Sequence, residues 1–179
     1  MHVLGHGDPT KLAAALHDGL ALSKTPMGKA TASVSSQAPD AGSEQLPQLD
    51  LDTAMIDRVL GAKGKAVADV YQVGVPRGEA IHDNGMTMPP AMGSAEAINF
   101  QPTGDGRAAI TGDIVLTAKE VNPVLRALRE NGIEVTALHN HMLDDEPRLF
   151  FMHFWANDDA AKLAKGLRAA LDQVNVARS

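Results

Sequence analysis

The sequence contains no cysteine, and this absence excludes several kinds of chemistry. Disulfide bonds, thiolate nucleophiles and thiolate-rich zinc sites all require cysteine. Any metal that the chain binds must therefore be held by histidine, carboxylate, amide or thioether groups. Aromatic residues are also scarce, at 3% of 179 residues, whereas the hydrophobic content of 44% is ordinary for a folded globular domain.

Long apolar runs and an excess of positive charge are missing as well. No stretch approaches the roughly 18 consecutive apolar residues of a membrane-spanning helix. The N-terminal residues 1–11 lack the basic and apolar regions of a signal peptide, so we expect no transmembrane segment and see no export signal. The formal net charge is −6, with both signs spread along the chain. Such a distribution offers no surface for a phosphate backbone, and we expect no nucleic-acid partner.

The opening of the chain repeats a pattern found near its end. Residues 1–20, MHVLGHGDPTKLAAALHDGL, align without a gap on residues 152–171, MHFWANDDAAKLAKGLRAAL. Two amphipathic helices could share the Leu, Ala and Lys positions by chance, but the shared Met-His pair needs another explanation. We predict that residues 1–24 are the strand and helix of a preceding copy. A flexible linker at 25–50 and a complete domain at 51–179 follow.

The patterning of the complete domain predicts an α+β fold in the order α-β-β-β-α-β-β-α. Apolar stripes at helical spacing indicate helices at residues 51–60, 118–131 and 157–174. Alternating apolar residues indicate five strands, at 66–77, 97–104, 107–117, 133–142 and 148–156. We expect one antiparallel sheet of about five strands with the helices on one face. Thr117 and Glu120 have the spacing of a capping box at the second helix.

Three histidines lie within fifteen residues of the last predicted hairpin, at His139, His141 and His153. Side chains on a strand repeat every two residues, so His139 and His141 should share a face. A tight turn at 143–147 places His139 opposite Phe151 or His153, which brings all three imidazoles within reach of one another. Burying three unpaired imidazoles is costly, and a bound cation removes that cost. We predict a metal site, with hydrogen-bonded structural histidines as the alternative.

The available ligand types indicate which metal this site prefers. Three imidazoles favour a divalent ion, with zinc first. Copper is second, because thioether ligands could come from Met86, Met88 and Met92, although methionine serves more often as packing. In the turn, Asp144, Asp145 and Glu146 are expected to be solvated. Glu146 is nevertheless the candidate for a fourth ligand or a general base.

Residues 98–155, INFQPTGDGRAAITGDIVLTAKEVNPVLRALRENGIEVTALHNHMLDDEPRLFFMHFW, resemble the conserved-domain family named after the mycobacterial lipoproteins LppY and LpqO. The resemblance covers about residues 66–175, and the opening segment resembles the end of a first copy. It implies a protein that often carries the domain twice and is commonly exported or lipid-anchored. It implies no activity and no ligand residues. The chain departs from the family pattern in lacking most of the first copy.

Two classes of function fit these observations. The first is a metal-dependent enzyme, a hydrolase or lyase, that activates water or polarises a substrate oxygen at an open coordination position. The second is a non-catalytic module of the cell envelope that binds a ligand or a partner and in which the histidines are structural. Either class allows a small-molecule ligand and a homodimer.

Overall fold

The computed structural model describes residues 3, 5–24 and 49–177, and the chain divides into two compact units, residues 1–44 and 45–179. In the first unit, α1 (Pro9–Ala21) begins after Asp8, whose carboxylate accepts the backbone N–H groups of Thr10 and Lys11. The strand predicted in this unit falls partly on residues 1, 2 and 4, outside the described residues. Residues 25–48, which make up most of the predicted linker, also lie outside them.

The described part of the second unit, residues 49–177, contains two antiparallel sheets and three α-helices. Its elements are α2 (Thr53–Leu60), β1 (Lys65–Val67), β2 (Val70–Pro76), β3 (Ile81–Asp83), β4 (Met86–Met88), a 3-10 helix (Pro90–Met92), β5 (Ala95–Gly104), β6 (Arg107–Thr117), α3 (Ala118–Glu130), β7 (Glu134–His139), β8 (Asp145–Glu146), β9 (Leu149–Asp159) and α4 (Ala160–Leu171). The large sheet has the strand order β1-β2-β5-β6-β9-β7, and the small sheet has the order β4-β3-β8. The predicted α+β class and antiparallel pairing are confirmed.

No helix in the described parts of the chain combines the length and the apolar character needed to cross a membrane.

The predicted strand count and element order are wrong in detail. The expected first strand is a hairpin of β1 and β2, in which Ala68 has a φ of 52°. Positive φ is uncommon for alanine, so the residue type did not indicate a turn. The small sheet was missed because its strands have only two or three residues, too few to show alternation.

Both aspartates that correspond in the sequence repeat cap a helix. Asp8 caps α1, and Asp159 caps α4 by accepting the backbone N–H of Lys162 at 2.8 Å. The two capping residues are separated by the 151-residue offset of the repeat. The duplication itself stays a prediction.

The two faces of the large sheet have different surroundings. One face packs against α2, α3 and α4 and forms the main core, with sheet residues such as Ile98, Phe100, Ile110, Met152 and Phe154. The other is covered in part by the small sheet, where Ile81 and Met88 join Val115, Leu149 and Phe151 in a second, smaller core. We call this second side of the large sheet the open face.

One row of directly paired residues crosses five strands of the large sheet on the open face. It runs from Gly74 on β2 through Ala97, Asp113 and His153 to Ala137 on β7. Directly opposed residues of antiparallel strands project from the same face. This cross-strand row therefore places an aspartate and a histidine beside two of the smallest residues of the protein.

Two strand glycines in the large sheet differ in the reason for their lack of a side chain. A Cβ at Gly112 would overlap the carbonyl oxygen of Ala97, whereas at Gly74 the nearest atom is the carbonyl oxygen of Glu96 at 4.0 Å. We expect Gly112→Ala to destabilise the protein by roughly 1–3 kcal/mol, because backbone atoms have to separate. Gly74→Ala, the matched control, should leave stability unchanged or raise it. Urea unfolding measures both, and equal losses would contradict this assignment.

A buried ion-pair network joins the large sheet, α3 and the C-terminal segment. Arg77 is 6% exposed, and its Nη2 donates to the two carboxylate oxygens of Glu120 at 3.0 and 3.1 Å and to Glu79 at 2.7 Å. Glu120 also accepts the N–H groups of Thr117 at 2.7 Å and Asn175 at 3.0 Å. The predicted capping box is thus confirmed, and its glutamate also neutralises the buried Arg77.

Glu96 is fully buried beside this network, on the helix-covered side of β5. Its Oε2 accepts the backbone N–H of Val115, while its Oε1 has no hydrogen-bond partner among the described residues. Burial raises the pKa of Glu96 to about 8, against the opposing effects of the Val115 hydrogen bond and the Arg77 charge. The Glu96 carboxyl is therefore protonated at neutral pH.

Candidate metal centre

The three histidines predicted as metal ligands lie together at the open face of the large sheet. His139 is the last residue of β7 and lies opposite Phe151 of β9, while Ala137 lies opposite His153. This register decides between the two pairings that the sequence allowed. His141 lies two residues beyond the end of β7, so the following loop, not strand alternation, sets its position.

The ring nitrogens of the three histidines are close enough to converge on one ion. His139 Nε2 lies 2.7 Å from His153 Nε2, and the centroids of these two rings are 4.8 Å apart. The centroid of the His141 ring is 4.9 Å from that of His139 and 6.2 Å from that of His153. One nitrogen from each residue can be chosen so that all three lie within 4.8 Å of one another. Tetrahedral zinc with bonds of about 2.0 Å requires nitrogens about 3.3 Å apart, a value between the 2.7 Å of the His139–His153 pair and the 4.8 Å limit of the whole group.

The His141 ring is oriented by the second core. It stacks on Phe151 with a centroid distance of 3.5 Å and an angle of 5° between the planes. Phe151 is buried between the two sheets and has little freedom to move. Asn140 Nδ2 also donates to the carbonyl of Leu149, which holds the loop against β9. The loop residue His141 therefore has a packed support.

Asp113 is a fourth member of the site that sequence reasoning missed. It lies directly opposite His153 in the β6–β9 ladder, and its Oδ1 contacts His153 Nδ1. A carboxylate at Nδ1 keeps a proton there and leaves Nε2, the atom that faces His139, available to a metal. Aspartate is depleted in strands, and Asp113 is the only carboxylate in residues 107–117. That unusual position was the signal in the sequence.

The acidic residues of the predicted turn lie in different surroundings. Glu146 is exposed on β8, where it pairs with His82 of the small sheet, and it is outside the group of three histidines. The expectation that Asp145 is solvated was wrong, since this residue is only 4% exposed. Asp145 accepts the backbone N–H of Leu149 at 2.6 Å and pairs with Arg148 at 2.9 Å. Its carboxylate organises the connection between β8 and β9.

The three methionines proposed as copper ligands do not share one environment. Met88 is 9% exposed and belongs to the second core with Phe151. Met86 and Met92 are 38% and 58% exposed. Packing in the second core explains Met88. The exposure of Met86 and Met92 does not distinguish a metal ligand from an ordinary surface residue.

Fold and site together define an α+β domain with a histidine cluster and a partnering aspartate on the open face of its sheet. A family model described as Domain of Unknown Function (DUF1259) matches residues 54–173, about two thirds of the chain, and the chain belongs to this family. The match includes all four residues of the site. No protein with a curated description and no solved structure matches the chain. The resemblance to the LppY and LpqO lipoproteins stays a prediction.

Proposed function

We propose that this protein binds a divalent metal ion, zinc first and copper second, through His139, His141 and His153. The observation that supports this most is the approach of three ring nitrogens to within 4.8 Å of one another. Asp113 strengthens the proposal, because ligating histidines usually donate their second ring N–H to a carboxylate, a carbonyl or water. Neutral imidazoles suit zinc and copper, and the chain has no thiolate that could compete with them.

The chemistry that this centre supports is water activation or polarisation of a substrate oxygen. Three protein ligands leave at least one coordination position open on a zinc ion, where the metal supplies Lewis acidity. His139 is exposed, so small molecules from solvent can reach the histidine cluster. We therefore propose a metal-dependent enzyme of the hydrolase or lyase class.

A second candidate is a non-catalytic module in which the histidines are structural. The 2.7 Å separation of His139 Nε2 and His153 Nε2 is also that of a short hydrogen bond. His153 Nδ1 contacts Asp113 Oδ1 on its other side, and the Asn140 carbonyl lies 3.2 Å from His139 Nδ1. These neighbours give the ring nitrogens of both histidines polar partners without an ion.

Titration of the chelator-treated protein with zinc distinguishes the two candidates. We expect one equivalent to bind with submicromolar affinity, measured by competition with a chromophoric chelator. Zinc at 100 times the dissociation constant should raise the free energy of unfolding by about 2.7 kcal/mol. Structural histidines predict no saturable binding and no thermal shift, and that result would contradict the metal site.

A further inference from the structure

A groove with a volume of about 620 Å³ lies on the open face of the large sheet. Gly74 of β2 and Ala97 of β5 form its floor, and Pro90 and Ala91 of the 3-10 helix line one side. Lys63 and Lys65, which precede and begin β1, also line it. Its volume lies within the range of roughly 300–1,000 Å³ that is typical of small-molecule sites.

The groove and the histidine cluster are joined by the cross-strand row. Gly74 and Ala97 lie in this row, which continues through Asp113 to His153. Neighbouring strands are about 4.8 Å apart, so His153 lies about 10 Å from Ala97 along the row. A ligand that lies across the strands can thus occupy the groove and reach the histidine cluster with its other end.

Among the described residues, neither conformation nor packing requires glycine at position 74. Its φ is not in the left-handed region, and an added Cβ would have no described atom closer than 4.0 Å. Glycine weakens the interior of a strand, and it often marks a point where a ligand approaches the backbone closely. Gly74 therefore leaves open space at the sheet surface, where a ligand can approach the backbone closely.

The residues around the groove indicate the chemistry of its ligand. Lys63 and Lys65 are exposed, and neither forms an ion pair with a residue that the structure describes. The one acidic residue of the lining, Glu96, has its buried side chain on the helix-covered side of β5, so its carboxyl does not face the two lysines across the groove. Most of the other lining residues are apolar, among them Pro76, Pro90, Ala91, Ala95 and Ala97, and the uncharged polar residues Gln72 and Asn99 complete the lining together with glycines.

We propose that this groove binds an organic anion with an apolar body, its charged end at Lys63 and Lys65, and that this anion is the substrate or ligand of the histidine centre. The link to the centre rests on the proposed metal function. The binding site itself does not, because the groove is formed by β2, β5 and the 3-10 helix without any histidine. The two statements can therefore be tested separately.

The test uses the full chain and, as the probe, the apolar aromatic sulfonate 8-anilino-1-naphthalenesulfonate. Binding of the probe is measured by the change in its fluorescence. We expect one saturable site. Gly74→Val should weaken the affinity by at least about tenfold while the melting temperature stays equal or rises, because a β-branched residue suits the strand. The double variant Lys63→Gln and Lys65→Gln should weaken it by a similar factor. Thr111→Val, on the open face but outside the groove, is the matched control and should have no effect.

The outcomes separate the groove from the metal centre. Equal probe affinities for wild type and Gly74→Val would overturn the proposal that the groove is a binding site, whatever the zinc titration shows. Loss of zinc binding with the probe response intact would overturn the metal function and leave the groove in place. With both sites present, zinc should strengthen probe binding by about fivefold or more, a typical coupling between neighbouring sites. Identical affinities with and without zinc would overturn the link between them.

Discussion

Replacing His153 with alanine is expected to lower the affinity of the protein for zinc by at least about 100-fold. Structural zinc sites bind with roughly 10–16 kcal/mol in total, so the loss of one ligand removes several kcal/mol. His139→Ala and His141→Ala should have effects of the same order, because each contributes one ring nitrogen to the cluster. Asp113→Asn should cost less, about 10- to 100-fold, because Asp113 orients His153 and is not itself a ligand in this proposal.

His82→Ala provides the matched control for these variants. His82 lies on β3 of the small sheet, and its Nδ1 is 3.3 Å from Thr87 Oγ1. Its removal should leave zinc affinity unchanged. Thermal unfolding in the presence of a chelator shows whether each variant is folded, and competition titration gives the affinity. Wild-type zinc stoichiometry and affinity in all three cluster variants would sink the metal proposal.

Glu96→Gln is expected to abolish a large pH dependence of stability. The pKa of Glu96 is about 8 in the folded protein and about 4.3 in an unfolded chain. Below pH 4 the carboxyl is protonated in both states, and its contribution to stability is fully present. Between pH 5 and 8 only the unfolded chain ionises, so the free energy of unfolding falls with rising pH. The full difference is roughly 5 kcal/mol, at 1.36 kcal/mol for each pKa unit.

Urea unfolding at pH 5 and pH 8 measures this effect in wild type and in Glu96→Gln. The wild type should lose stability over this range, and the variant should lose several kcal/mol less. Glu79 and Glu120 do not contribute to the difference in stability between pH 5 and pH 8. Although burial favours a higher pKa for each, hydrogen bonds and the Arg77 charge lower both below the ordinary value, so both stay ionised above pH 5. Glu130→Gln is the control, because Glu130 is the exposed last residue of α3. Parallel pH profiles for wild type and Glu96→Gln would show that Glu96 is not the cause.

Local patterns predicted the parts of the structure that depend on neighbours in the chain. The capping box of Thr117 and Glu120 was predicted because its partners are three residues apart. The approach of His139 and His153 was predicted because both lie on adjacent antiparallel strands, β7 and β9. In such a hairpin the distance between side chains depends mainly on the register near the turn.

Distant contacts were beyond the reach of these patterns. Asp113 meets His153 only because β6 pairs with β9 across 40 residues of chain. Glu120 looked like a helix cap and also neutralises Arg77, which is 43 residues away. Gly74 and Ala97 form the floor of a groove only after β2 and β5 pair. None of these residue types carries a sign of its distant partner.

The sequence by itself determined the α+β class, the antiparallel pairing and the three candidate ligands, because all three follow from periodicity and short-range spacing in the sequence. Only the tertiary structure decided that Asp113 supports His153, that Phe151 supports His141, and that a groove lies in the same row. The physical reason is strand order. Which residues become neighbours across a sheet depends on the packing of the whole domain, and that packing minimises a free energy to which all elements contribute at once.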